Sequence, residues 1–150
     1  MSDIDQIDEQ ILRELERDGR ISNLALSDRV GLSASACLRR VAALERSGII
    51  QGYRAVVDRK KRARGFLAYI GVGLNDHSRD AQRSFEKSMA QADPVRECHN
   101  ITGTIEYLLR IECADLDAYK AFHTDLLGAL SQVNAITTYV VIDSPKDMRT

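Results

Sequence analysis

The residues best equipped for chemistry in this chain sit together between Ser33 and Arg40, in the run Ser-Ala-Ser-Ala-Cys-Leu-Arg-Arg. Ser33 and Ser35 carry hydroxyls that donate and accept hydrogen bonds, and Ala36 is small enough to admit a close neighbour. The guanidinium groups of Arg39 and Arg40 can form bidentate pairs with phosphate oxygens or with the O6/N7 edge of guanine. This is recognition chemistry, aimed at an anion. Ser22 and Arg29 upstream and Arg54 downstream complete the candidate DNA-binding set, Ser22, Arg29, Ser33, Ser35, Ala36, Arg39, Arg40 and Arg54. Arg40 has a second use open to it, a salt bridge to the first helix, and the whole region has a plainer reading as a three-helix bundle with a solvated basic face.

The elements that must hold these residues follow from the apolar spacing. Ile4, Ile7, Ile11, Leu12 and Leu15 recur at helical intervals among charged residues, and Asp18-Gly19 ends that pattern. Ser22 then caps a short second helix with Leu26 and Val30 on its inner face. Gly31 supplies the turn, Ser33 caps a third helix with Cys37, Val41 and Leu44 inward, and Ser47-Gly48 closes it. Two helices joined by a short glycine-containing turn, with another helix behind, predict a helix-turn-helix over about residues 22–41, which lays its last helix in the major groove of duplex DNA. Backbone N–H groups at the start of that helix add a phosphate site. Cys37 reads as a small core residue.

Charge supports an anionic partner for the first half only. The 150 residues are 44% hydrophobic and 29% charged, enough for a packed core, and the net charge of −1 excludes a polycation. Residues 1–64 nevertheless carry 13 Lys/Arg against 10 Asp/Glu, and residues 65–150 carry 8 against 12. The stretch 29–64 holds 10 basic and 2 acidic residues. After Gly48, residues 49–57 read as a strand or two. The run Arg59-Lys60-Lys61-Arg62-Ala63-Arg64 follows as a basic connector, either a solvated linker or a further contact to phosphate.

The second half changes period. Phe66, Ala68, Ile70, Val72 and Leu74 alternate as a strand, Arg79 to Gln91 is helical, and Val95 to Thr102 is a second strand. Gly103 turns the chain, Tyr107 to Glu112 alternates again, Leu116 to Leu130 reads as a longer helix, and Val133 to Ile142 as a last strand. The order predicts an α+β chain, a (winged) helix-turn-helix domain followed by a ferredoxin-like βαββαβ domain. Boundaries are expected at 1–50 for the DNA-binding domain, 51–64 for a strand and basic linker, and 65–150 for the second domain. Leu67, Tyr69, Leu108, Tyr139 and Val141 place apolar surface on the sheet face that two helices cannot cover. A second copy of the chain would bury it, and a dimer also suits a helix-turn-helix that reads half-sites about one helical turn apart.

Other classes find little support. Gly71-Val72-Gly73 has Asp76 where a dinucleotide loop needs its third glycine, and neither GxxxxGK[ST] nor GxSxG occurs. His77, His99 and His123 lack metal-ligand spacing. Cys98 and His99 are adjacent and would point to opposite faces of a strand, a poor nucleophile and base pair. No catalytic residue, metal or cofactor is expected. Three cysteines without a CxxC, an acidic amino terminus and no long apolar run predict a cytoplasmic, nucleoid-associated protein with no membrane partner.

Further motifs carry a family resemblance. Asp5 through Leu15, Arg20-Ile21-Ser22, Val30-Gly31-Leu32-Ser33, Leu38-Arg39-Arg40-Val41, Leu44-Glu45, Ser47-Gly48-Ile49-Ile50 and Gly52-Tyr53-Arg54-Ala55 resemble the Lrp/AsnC transcription regulators. So do Val95-Arg96-Glu97-Cys98, Ile101-Thr102-Gly103, Tyr107-Leu108-Leu109-Arg110 and Thr138-Tyr139-Val140-Val141, in order over nearly the whole chain. The resemblance implies an amino-terminal DNA-binding domain and a carboxy-terminal domain that dimerises, assembles dimers into octamers, and binds an amino acid or related metabolite between subunits. It places that effector against Thr102, Gly103, Thr104 and Glu106, where amides around a glycine can cradle an α-carboxylate and an acid can hold an α-ammonium. Thr138 and His99 are secondary candidates. The chain departs from the family pattern with Glu106 for the usual Asp and Ser131-Gln132 for the usual Pro-Gly. The alternative function is a ligand-independent, nucleoid-type architectural protein that bends DNA, separable from a sensor by the absence of coupling between ligand and DNA affinity.

Overall fold

The computed structural model describes residues 4–147, which form two compact units dividing between Ala55 and Val56.

In the first unit, helix α1 (Gln6–Arg17) starts at Asp5, whose carboxylate accepts from the amides of Ile7 and Asp8, while the Asp8 side chain accepts from the Asp5 amide. This reciprocal cap satisfies donors that the first helical turn leaves without partners. Helix α2 (Asn23–Val30) is capped by Ser22 and ends at Gly31, whose φ of 69° is the left-handed conformation that lets the chain reverse. Helix α3 (Ala34–Arg46) is capped by Ser33 through the Ala36 amide. Asn23 Nδ2 donates to the Ala34 carbonyl at 2.8 Å and ties the two helices across the turn. The core is Ile11, Leu26, Val30, Cys37 and Leu44, ringed by Ile7, Leu12, Leu15, Ile21, Leu32 and Val41.

The expected strand over 49–57 is absent: residues 51–58 are irregular and join no ladder. The Ile50 amide turns back to the Leu44 carbonyl instead. An apolar, β-favouring run forms a strand only where a second strand takes up its backbone groups, and the first unit offers none.

The second unit begins with a single closed turn. Asp58 accepts from the Lys60 and Lys61 amides at 2.9 and 3.2 Å, the Ala63 amide returns to the Lys60 carbonyl, and the Arg64 amide to the Arg59 carbonyl. Ala63 stands at φ 54°. The bonding pattern is that of a Schellman cap with alanine in glycine's usual place. Strands β1 (Phe66–Leu74), β2 (Val95–Asn100), β3 (Tyr107–Cys113) and β4 (Val133–Val140) form an antiparallel sheet of order β2-β3-β1-β4, the ferredoxin-like topology. Helix α4 (Arg79–Gln91) and helix α5 (Leu116–Ala121) cover one face, over Ala68, Ile70, Val72, Phe85, Met89, Tyr107, Leu109 and Ile111.

The helix expected over 116–130 is not continuous. It passes after Ala121 into a π-helical turn, Phe122–Leu126, and a 3₁₀ turn, Leu127–Ala129. The i→i+5 bonding brings Phe122 and Leu127, five residues apart, into the same core. The second strand also stops at Asn100 and the last at Val140, two residues short of their expected ends.

Two substitutions test these roles. Ile11 is wholly buried, so Ile11→Ala should destabilise the first unit by about 2–5 kcal/mol in urea denaturation. Gly31→Ala meets open space but keeps a left-handed backbone, so its cost should be smaller, about 1–2 kcal/mol.

Candidate functional site

Helical geometry separates Arg39 from Arg40. Successive side chains on a helix diverge by about 100°, so two adjacent residues point in different directions and one can be carried to a flank while the other stays outward. With Cys37 and Leu44 turned into the core, Ser35, Leu38, Arg39 and Arg46 stand outward on α3. Leu38 is 59% exposed, a large apolar side chain left in water beside Arg39. The Arg39 guanidinium has no hydrogen-bonding or ionic partner among the described residues, and neither has Arg54, exposed beyond α3.

Arg40 turns the other way. Its Nη1 donates to Asp5 Oδ2 at 2.7 Å and Asp8 Oδ1 at 2.9 Å. The salt bridge to the first helix is thus formed, and it removes Arg40 from the set of free cations. The Asp5 carboxyl is held below the usual range, first by the hydrogen bond from the Asp8 amide and then by Arg40. Arg29 is similarly engaged, with Nη1 2.6 Å from Glu14 Oε2. Ser22 and Ser33 spend their side-chain oxygens as helix caps, and Ser33 Oγ lies 3.3 Å from Ser35 Oγ. Ala36 is half-buried and its amide is taken by Ser33. Of the eight expected residues, Ser35, Arg39 and Arg54 remain outward and uncommitted to any cap or ion pair. Leu38 and Arg46 join them on α3; the same 3.6-residue spacing that gave the inner face would have found both.

In the second unit, residues 102–106 form an irregular loop rather than a tight hairpin turn, with Gly103 at φ 135°. The amides of Thr102, Gly103 and Thr104 donate to no group among the described residues, and all three residues are exposed. The loop is fixed at its far end. The Glu106 amide donates to the Val72 carbonyl at 3.1 Å, and Glu106 Oε2 accepts from the Leu74 amide at 2.7 Å. Ile105 lies over Gly71 so closely that a Cβ there would meet its Cδ1. Glu106 is therefore an anchor of the loop, and Oε1, 3.4 Å from His77 Nδ1, is its less committed oxygen.

Thr138 does not join this loop. Strand register pairs it with Ile70 on the helix-covered side, where its hydroxyl bonds to the Tyr119 hydroxyl. Thr137, opposite Gly71, shares the side of the sheet that carries Ile105. His99 stands on that open side, 3.3 Å from Glu97, whereas Cys98 packs against the core and is pushed by burial up to about 11. A groove of about 450 Å³ between α4 and β2 is lined by Glu86, Met89, Cys98, Asn100 and Tyr107 and excludes the 102–106 loop. Tyr107 donates to Glu86 at 2.7 Å.

Of the residues expected to leave apolar surface on the other face, Tyr139 is 61% exposed and Tyr69, Leu108 and Val141 are half-buried, whereas Leu67 is buried, and the face carries charge as well. Arg110 and Glu112 alternate with Leu108 there, 5% and 8% exposed, and Arg110 Nη1 lies 2.9 Å from Glu112 Oε1. Arg59 and Arg96 approach the same carboxylate at 3.8 Å. Among the described residues, no cluster of three or more His, Cys, Asp and Glu side chains fits a metal, and no helix is long and apolar enough to cross a membrane.

The Asp5 contacts give a pH dependence. A carboxyl held low in the folded state stabilises above its unfolded pKa of about 4 and loses that contribution as pH falls through the folded value. Thermal melts should show the first unit weakening below about pH 4, and Asp5→Asn should flatten that part of the profile. Glu106→Gln should keep the loop anchored, because the amide oxygen still accepts from Leu74. Glu106→Ala should release it, seen as faster hydrogen exchange at Leu74.

Comparison with known proteins agrees with this division. Residues 4–51 match a winged helix-turn-helix DNA-binding model, and residues 67–150 match the Lrp/AsnC ligand binding domain. The leucine-responsive regulatory protein of Klebsiella pneumoniae is 40% identical over 144 residues, spanning 96% of this chain and 88% of its own. A transcriptional regulator from Neisseria meningitidis, solved as an L-Met complex, superposes with a TM-score of 0.93 at 33% identity over 97% of this chain and 94% of that one. A feast or famine regulatory protein from M. tuberculosis, complexed with L-methionine, gives 0.84 at 26% identity over 99% and 98%. With a helix-turn-helix in its first unit and a four-stranded antiparallel sheet in its second, each matched by the corresponding family model, this chain belongs to the Lrp/AsnC family of DNA-binding transcriptional regulators.

Proposed function

We propose that this regulator reads DNA sequence through the outer face of α3 and responds to an amino acid held by the 102–106 loop. The observation that carries the first part is the divergence of the two arginines: Arg39 is outward and unpaired, while Arg40 is spent on Asp5 and Asp8. Arg39 pairs with guanine or phosphate, Ser35 bonds to a base edge or phosphate, and Leu38 lies against thymine methyl groups. Arg54 contacts phosphate. Arg29, Ser22, Ser33 and Ala36 contribute by shaping and capping the helices, and Arg40 by locking α3 to α1.

The amides of Thr102, Gly103 and Thr104 are the site for an α-carboxylate, and Glu106 Oε1 is the nearest acceptor for an α-ammonium. Thr138 supports the sheet beneath through Tyr119. L-methionine and L-leucine are the first ligands to test, since the Neisseria and mycobacterial proteins hold L-methionine and the Klebsiella relative is named for leucine. The chain acts as a homodimer joined through the open sheet face, with dimers building octamers, and two α3 helices entering successive major grooves. Tyr139, 61% exposed on that face, is part of the joint. The working compartment is the cytoplasm, at the nucleoid, and no catalytic step or cofactor enters the mechanism.

Binding to duplexes selected by this protein from random sequence separates these roles. Arg39→Ala should reduce the ratio of specific to non-specific affinity by about 1–3 kcal/mol, about 5- to 150-fold, with no change in Tm. Arg40→Ala should lower the Tm of the first unit. Tyr139→Glu should leave single chains in sedimentation. An amino acid at a hundred times its Kd should raise folding stability by about 2.7 kcal/mol and shift DNA affinity or assembly state. A protein that binds and bends duplex DNA with no response to any amino acid would be the architectural alternative.

A further inference from the structure

The basic connector is a built element with a division of labour among its cations. Arg59 and Arg64 face inward to acids of their own unit: Arg59 Nε lies 3.8 Å from Glu112, and Arg64 Nη2 lies 2.6 Å from Asp93 while its Nη1 donates to the Asp93 carbonyl. These two side chains are only about one-fifth exposed. Between them the chain is closed by the Asp58 carboxylate and the left-handed Ala63. What this turn presents to solvent is Lys60, Lys61 and Arg62. All three are exposed, and their side chains have no hydrogen-bonding or ionic partner among the described residues.

We infer that the turn Asp58–Arg64 is a phosphate-contact site, in which Lys60, Lys61 and Arg62 grip the backbone of duplex DNA outside the bases read by α3. A solvated linker needs no anchors and no cap. Here two arginines and an aspartate are used to hold three other cations out, which lowers the ordering cost those cations meet on binding. The only carboxylate within the segment, Asp58, is turned to its own amides, so the outward surface is cationic. Duplex DNA is the polyanion at hand. Five chain steps join Ala55, the end of the DNA-binding unit, to Lys60, and such a span reaches at most about 18 Å, roughly half the distance between half-sites one helical turn apart. The inference rests on DNA binding by this chain, and it adds a sequence-independent contact supplied by the second unit.

The test is the salt dependence of binding by the full-length protein. Wild type and the triple variant Lys60→Gln, Lys61→Gln, Arg62→Gln are titrated by fluorescence anisotropy against a selected duplex and a scrambled duplex, from about 50 to about 200 mM salt. Three lost phosphate contacts should make the slope of log K against log salt shallower by about 2.7, so the affinity gap narrows about 40-fold across that range. Selected and scrambled duplexes should weaken by the same factor, and the Tm should not change. An unchanged slope, with Arg39→Ala still impairing binding, would overturn the inference and leave a solvated linker. A changed specificity ratio would overturn it in favour of base contact. Failure of the wild type to bind either duplex would instead remove the DNA-binding premise, and the two failures are told apart by the Arg39→Ala control. Binding of wild type to anionic vesicles at least as tight as to duplex, lost in the triple variant, would overturn it in favour of a membrane surface.

Discussion

Adjacent residues on an α-helix point about 100° apart, and in this chain that one constraint decides which cations of α3 stay outward and which are paired. Arg39 and Arg40 are chemically identical neighbours. Once Cys37 and Leu44 take the core side of α3, Arg40 is carried to the flank beside α1 and Arg39 to the open side. Asp5 and Asp8, already placed by the cap of α1, receive Arg40 and lock α3 against the first helix. The cap, the interhelical bridge and the exposure of the reading face are therefore one arrangement. Loss of the bridge would loosen the helix that carries Ser35, Leu38 and Arg39, without touching them.

The same economy runs through the rest of the molecule. A local surplus of positive charge is divided between structural and free groups, the structural arginines being held by carboxylates of their own unit: Arg29 by Glu14, Arg59 by Glu112, which Arg96 and Arg110 share, and Arg64 by Asp93. Net charge over a stretch of sequence overstates what a polyanion can feel, because paired cations are already partly neutralised. Surface pairs of this kind contribute little to stability one by one. Their consequence here is directional, in that they fix which side chains remain available.

The second unit shows a parallel division between anchored groups and groups left without a partner among the described residues. Glu106 reaches across to the Leu74 amide beyond the last β3 pair and closes the end of the sheet. Gly71 is glycine because Ile105 occupies the space a Cβ would need. The loop between them is thereby held at both ends of its last residues, while the amides of Thr102, Gly103 and Thr104 are left open. A pre-formed, partly anchored loop with unspent donors loses less entropy on meeting a carboxylate than a free one.

Much of this was legible in the residues alone. The three helices, the Gly31 turn, the serine caps, the succession of strands and helices along the second half and the buried role of Cys37 all follow from spacing, since a 3.6 or 2.0 period together with a capping residue is a local property. Tertiary structure decided the rest, because it depends on what lies opposite. Residues 49–57 have strand-like composition but pair with no strand among the described residues, so they stay irregular. Thr138 and Thr137 are equally plausible as letters, and only the register with Ile70 and Gly71 assigns them to opposite faces. The allegiance of Arg40 to Asp5 across 35 positions, and of Glu106 to Leu74 across 32, is written in no local pattern. Long-range pairing is set by the packing of whole elements, and a side chain's partner is known only once those elements have docked.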